Sequence, residues 1–274
     1  MNLLIVSNMA HYQRDGKIVG HGPTAREIDH LSSLFDRVRH VGCLHTGEAP
    51  ANALPYTSER VEFIAVLPSG GARLRDKLQT LWLLPVYLRT IARELQRSDA
   101  VHVRCPANIS LLAIMLLAAL RRPEVRWVKY AGNWQTTGRG AWSYRLQRWW
   151  LNRGLHRGLV TINGYWPGQP KHVRSFPNPC LTEQELQEAY AAAAGKRLEE
   201  PVHLLYVGQL LDSKGVDTVL RAVACLRGGD LPLTCDVIGD GARRRELEDL
   251  TASLGIEREV HFRGWMPRPA LVPY

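Results

Sequence analysis

Short apolar runs recur along the chain, separated by stretches in which apolar positions return every three or four residues. The runs at 2–9 (NLLIVSNM), 39–45 (RHVGCLH), 61–68 (VEFIAVLP), 98–106 (SDAVHVRCP), 125–132 (VRWVKYAG), 159–164 (LVTING) and 173–176 (VRSF) have the near-continuous hydrophobicity of buried parallel strands. Helices are predicted between them. One starts at Pro23-Thr24, with proline in its first turn and Ile28, Leu31 and Phe35 on one face. A second covers 78–96 and should kink or split at Pro85. A third, at 107–120, is almost wholly apolar, and a fourth covers 143–158 (SYRLQRWWLNRGLHRG). The polar, glycine-bearing stretches 11–22 and 69–77 read as loops. Strands and helices alternating in this way predict an α/β fold on a mostly parallel sheet.

A second block starts at residue 202. VHLLYVG reads as a buried strand, a polar loop leads to Lys214-Gly215, and a helix follows. Asp217 is the expected cap, with Val219, Leu220, Val223 and Leu226 on one face. LTCDVIG is the next strand and ends in Gly239-Asp240-Gly241, and HFRGWMP at 261–267 is a third strand-like run. Small residues and a lysine therefore sit at the carboxyl ends of parallel strands, where ligands of open α/β sheets bind. Glycine there lets a phosphate approach the backbone. The segment 176–180 (FPNPC) reads as a linker and the acidic, alanine-rich 181–198 as a helix. The expected organisation is a Rossmann-like domain over 1–180, a linker helix over 181–200 and a smaller nucleotide-binding domain over 201–274.

Charge follows the same division. The net charge is +9, with 24 Lys+Arg against 11 Asp+Glu in residues 1–180 and 11 against 15 in 181–274. The basic surface thus belongs to the first half. Residues 121–174 hold 11 Lys+Arg against the single acid Glu124, together with Trp127, Trp134, Trp142, Trp149, Trp150 and Trp166. Tryptophan with arginine suits an anionic membrane surface or a lipid-linked acceptor. It also suits stacking on nucleic acid, which is not the expected partner, or a packed helix whose arginines are simply solvated. The five cysteines are odd in number and none is in CxxC spacing, so neither a zinc site nor a disulfide framework is indicated and a reducing cytosol is expected. The N-terminus lacks the basic region of a signal peptide. The longest apolar run, 109–120, falls short of the roughly 18 to 20 residues that cross a bilayer.

The runs YVGQLLDSKGVDTVLRA and VIGDGARRRELEDLTASLGIEREVHFRGWMP resemble the donor half of GT-B-fold glycosyltransferases, and most closely the retaining family 4 (glycosyl transferases group 1). The likeness is specific over 176–274 and architectural before it. It implies two Rossmann-like domains and transfer of a sugar, with retention and without a bound metal or cofactor. The donor would be a nucleotide diphosphate sugar such as a UDP- or GDP-sugar, and the acceptor a glycan or lipid-linked glycan of polysaccharide biosynthesis, met at the cytoplasmic membrane face. By resemblance, Lys214 meets the leaving diphosphate beside Gly208. Gln209 stands where the family has arginine and brings no charge. A hydrogen bond to a charged group is worth roughly 1.5–3 kcal/mol, so the change costs roughly ten- to a hundredfold in rate unless another cation substitutes. Gly239 and Gly241 match the turn behind the donor, and Gly264 to Met266 the segment whose backbone reads the base. Gly20 and Gly22, split by His21, match the glycine loop near the donor phosphates and the acceptor. Pro179 replaces the glycine of the family's linker. The family's histidine after VRWVKYAG is Ala131 here, with Lys129, Tyr130 and Asn133 as neighbours, so the catalytic residues are left unassigned. The family continues into a Glu-x7-Glu motif, which implies that the donor domain of this sequence is incomplete. An inactive remnant or binding subunit, favoured by Gln209, and a GT-B sugar-nucleotide epimerase are the alternatives.

Overall fold

Beyond Asn2, residues 3–6 carry no polar side chain, and they become the centre of the first sheet. The computed structural model describes residues 1–69, 74–135, 141–176, 182–227, 229 and 232–271, and the chain divides into two units, Met1–Cys180 and Leu181–Tyr274. The first unit runs β1 (Asn2–Arg14), β2 (Lys17–His21), α1 (Gly22–Ser32), β3 (Arg37–Leu44), β4 (Ala53–Pro55), β5 (Val61–Val66), α2 (Leu74–Gln96), β6 (Ala100–Cys105), α3 (Asn108–Ala119), β7 (Val125–Tyr130), α4 (Trp142–Asn152), β8 (Leu159–Ile162) and β9 (Val173–Ser175). The strands β5-β3-β1-β6-β7-β8-β9 pair in parallel in that order, while β2 and β4 add antiparallel to the far end of β1. Alternation along the strands sorts the two faces. Leu4, Val6, Val101, Val103 and Val128 pack with Tyr87 and Ile91 of α2, Ile114 and Leu117 of α3 and Leu151 of α4. Leu3 and Ile5 face the other way, onto Ile28 of α1.

Three expectations change here. The stretch 11–22 is a hairpin rather than a loop. β1 continues to Arg14 and turns through Asp15-Gly16, both at positive φ (51° and 72°), to pair His11 with Gly20 and Arg14 with Lys17. Asp-Gly is a pair that such primed turns select. α2 is not split at Pro85 but runs on as one helix, with Leu83 on one side of the proline and Tyr87 and Ile91 on the other packed on the same core. The helix predicted over 143–158 stops at Asn152. Arg153 ends it and Gly154, at φ +68, takes the left-handed position that follows. Of the predicted loop 69–77, residues 70–73 lie outside the described residues and 74–77 belong to α2; most of the linker 176–180 also lies outside the described residues.

The second unit runs α5 (Glu183–Ala194), β10 (Val202–Val207), α6 (Val216–Arg227), β11 (Leu233–Ile238), α7 (Arg244–Ser253) and β12 (Val260–Gly264). α5 opens on a capping box, with Thr182 Oγ1 accepting from Glu185 N at 3.2 Å and Glu185 Oε2 accepting from Thr182 N at 2.7 Å. The strands form a parallel sheet in the order β10-β11-β12. Leu220 and Val223 of α6 and Leu247 of α7 close over Cys235 and Val237. Asp217 lies inside the first turn of α6 instead of capping it, and Leu226, near the helix end, is exposed rather than part of the buried face.

Candidate functional site

All three strands of the second sheet lead into glycine at their carboxyl ends. β10 is followed by Gly208, β11 by Gly239, and β12 ends on Gly264. These ends are laced together by backbone. Gly208 N donates to Ile238 O at 3.0 Å, and Gly239 N to Gly264 O at 2.8 Å. Leu210 N donates to Asp240 O and Leu210 O accepts from Arg243 N, each at 3.1 Å. The Leu210 side chain is fully buried, so the loop after β10 is pinned at its middle. Gly239 is at φ +139, and a Cβ there would overlap the Gly208 carbonyl; one at Gly241 would stand 2.5 Å from Leu210 O. These two glycines therefore serve the approach of one loop to the next.

Beyond Leu210 the chain makes a 3-10 turn over Asp212–Lys214, and Gly215, at φ +67, turns it into α6. Lys214 is exposed, and its ammonium has no ion pair among the described residues. Gln209 is exposed and its backbone oxygen accepts from Tyr206 OH at 3.3 Å. Met266 follows β12 and is half-buried. Two arginines that the sequence reading did not single out also stand here. Arg243 Nη1 pairs with Asp212 Oδ1 at 2.8 Å and ties the 3-10 turn to the start of α7. Arg244 lies beside Gly264, where a Cβ would be 3.5 Å from its Nη1, and pairs with Glu248 at 2.9 Å and Asp240 at 3.8 Å. Their signal was the arginine run one residue after Gly-Asp-Gly.

In the first unit Gly20 and Gly22 are not on a free loop. Gly20 is a β2 residue facing Met9 and His11, and Gly22 is the first residue of α1, buried, with its N–H on Asn52 O at 3.1 Å. The sheet face under α1 turns polar toward its carboxyl end. Glu27 of α1 accepts from Lys129 Nζ at 2.7 Å and pairs with Arg104 Nη1 at 3.0 Å. Burial pushes the Glu27 carboxyl up, but Arg104 and Lys129 outweigh it and hold it below its ordinary value. Next to these stands a buried chain of hydrogen bonds. Met9 O accepts from His11 Nδ1 at 2.9 Å, which leaves His11 Nε2 to accept from Tyr56 OH at 2.7 Å. Tyr56 then accepts from His40 Nδ1, and His40 Nε2 accepts from Ser7 Oγ, both at 2.7 Å. One carbonyl thus fixes the proton positions of the whole chain. Lys129 is engaged by Glu27, and Tyr130 is in the core, while Ala131 and Asn133 are exposed.

The six tryptophans of 121–174 do not form one surface. Trp127 stacks on His102 at 3.8 Å and donates to Thr161 Oγ1 at 2.7 Å. Trp134 is buried, and Trp150 and Trp166 pack against the core. Trp142 and Trp149 are the exposed pair. No described helix is long and apolar enough to cross a membrane.

The family of glycosyl transferases group 1 matches residues 188–274, the segment that contains these strand ends. No curated protein matches the chain by sequence. Among solved structures, HepE from Anabaena, crystallised in complex with UDP, is similar at a TM-score of 0.57 and 14% identity over 97% of this chain and 70% of that one. A glycosyltransferase from Rickettsia africae gives 0.51 at 13% identity over 97% and 68%. The UDP-GlcNAc 2-epimerase from Methanocaldococcus jannaschii gives 0.51 at 10% identity over 97% and 74%. Identities this low speak for the fold. Over residues 188–274 the chain is similar to the group 1 glycosyl transferases, and its α/β fold is of the GT-B type, with two parallel-sheet, Rossmann-like units.

Proposed function

We propose that this chain, a glycosyltransferase by its second unit, moves a sugar from a nucleoside diphosphate donor to a hydroxyl of a glycan or lipid-linked glycan, in the manner of the retaining family 4. The bond from the sugar's anomeric carbon to the diphosphate breaks. A bond from that carbon to the acceptor oxygen forms, the acceptor proton passes to the released diphosphate oxygen, and the nucleoside diphosphate leaves. The leaving group needs cations and backbone N–H donors already in place. The observation that carries this reading is the glycine-floored end of β10-β11-β12 with the unpaired Lys214 on the turn above it. Lys214 is the cation for the diphosphate, the side chain and backbone N–H of Gln209, beside Gly208, are its hydrogen-bond donors, and the segment from Gly264 to Met266 reads the base. HepE, which shares the fold, is described with UDP, and this supports a nucleotide donor. The basic first unit favours an acceptor that carries negative charge or lies on an anionic membrane surface at the cytoplasmic face.

Calorimetry with UDP and with GDP tests the donor site. Lys214→Ala should weaken binding by roughly tenfold or more, the worth of one charge-assisted hydrogen bond. Gln209→Arg should tighten it. Equal affinity in wild type and Lys214→Ala would remove Lys214 from the site. Product analysis with a UDP-sugar separates transfer from epimerisation of the donor.

A further inference from the structure

The first unit contains a cavity of about 250 Å³ where residues 134–135 after β7 and 166–169 after β8 meet α4. Trp134, Trp149 and Trp166 line it, with Gln135, Arg148 and Asn152 among them. β7 and β8 are adjacent parallel strands, and both loops leave their carboxyl ends, the ligand-bearing end of such a sheet. Two of the three tryptophans are held in place before any ligand arrives. Trp134, 9% exposed, packs edge-on against Tyr130 with ring centroids 5.4 Å apart. Tyr130 OH accepts from Arg148 Nη1 at 3.0 Å. The Trp166 indole N–H donates to Asn163 O at 3.3 Å and its backbone N–H to Gln169 Oε1 at 3.2 Å. Gln169 Nε2 in turn donates to Val173 O at 3.0 Å, which closes the loop. Trp149 is 49% exposed; it meets Trp150 edge to face with ring centroids 6.4 Å apart and carries the Arg153 guanidinium over its ring at 5.8 Å.

We infer that this cavity is a saccharide subsite that holds one pyranose ring of the acceptor glycan. A pyranose has an apolar C–H face, which indole faces match, and a girdle of hydroxyls, which the amides of Gln135 and Asn152 serve as both donors and acceptors. Ligand pockets commonly enclose roughly 300–1,000 Å³, so this cavity takes one ring and is too small for the nucleotide sugar. The fixed aromatic lining lowers the ordering cost of binding. The inference rests on the glycan-acceptor reading above, and its test is independent of the donor site.

Saturation-transfer NMR with the methyl glycosides of glucose, galactose, mannose and N-acetylglucosamine, with and without UDP, is the experiment. At least one glycoside should show saturation at its ring C–H protons. Trp149→Ala should weaken that glycoside at least tenfold and Trp149→Phe should retain most of the binding. The thermal midpoint and the UDP affinity should be unchanged in both variants. No saturation by any of the four, or equal binding by wild type and Trp149→Ala, overturns the inference. So does a Trp149→Ala protein that loses binding to anionic phosphatidylglycerol vesicles while no glycoside binds. Loss of UDP binding with glycoside binding intact would instead remove the donor reading and leave this subsite standing.

Discussion

Single histidines give the first unit a pH dependence that can be worked out from their surroundings. Burial pushes His11 and His156 down to about 4, although backbone hydrogen bonds to each act the other way. Burial holds His40 and His102 well below the ordinary value too, with the nearby charges of Arg104 adding to it. The unfolded chain therefore takes up protons near pH 6.5, where the folded chain does not. Stability is at its full value above about pH 6.5 and is lost as the pH falls toward 4. His11 and His156 each contribute on the order of 3 kcal/mol across that window. Glu27, held low by Arg104 and Lys129, loses its contribution only further down. Urea denaturation at a series of pH values should give a midpoint that is level from 7 to 8 and declines steadily below 6.5. A level midpoint down to pH 4 would mean that these rings are solvated. The histidines looked unremarkable in sequence. His11, His40 and Tyr56 meet only because the hairpin after β1 and the segment around β4 fold over the same strand end.

At the scale of elements, the carboxyl end of β11 is the most constrained point of the candidate donor site. A side chain at Gly239 overlaps the Gly208 carbonyl, and φ there is +139. Gly239→Ala should therefore cost roughly 2–3 kcal/mol or more and should move the loop that carries Lys214. A stability scan paired with UDP calorimetry should show both losses together. Unchanged stability would mean that the loop after β10 yields easily. The strands themselves were readable, because apolar residues buried on both faces of a parallel sheet leave nearly unbroken runs. The hairpin was not. Its residues His11, Tyr12, Gln13 and Arg14 lie at the sheet's polar end, and only Asp15-Gly16 marked the turn. β4, three residues long, left no period to detect. The tryptophan-rich segment misled for a related reason. Periodicity gives the side of an element but not the neighbour it meets, and Trp127 is satisfied by His102 and Thr161. Of the glycines at the candidate site, 208, 239 and 264 were legible as strand ends from their place after apolar runs. Arg243 and Arg244 acquire meaning only through Asp212 and Gly264, which the fold brings beside them.

For the whole molecule, the two units should differ in stability. In the first, helices α2, α3 and α4 cover one sheet face, while α1 covers part of the other. In the second, α6 and α7 cover one face of a three-stranded sheet. On the opposite face Leu205 is 44% and Val207 52% exposed, and α5 buries none of its side chains. Backbone hydrogen bonds with fewer buried apolar neighbours open at lower free energy. Amides of β10, β11 and β12 should therefore exchange with deuterium before those of β1, β3 and β6. Nucleotide adds a second arm to the measurement. A ligand bound at the ends of β10-β11-β12 stabilises that unit by about 2.7 kcal/mol at a hundredfold excess over its Kd, so saturating UDP should slow exchange in the second unit and leave β1, β3 and β6 as they were. Equal protection in both sheets without nucleotide would show that the exposed face of β10 costs nothing in stability. Slowing confined to the first unit would place the nucleotide there and take the donor site away from Lys214.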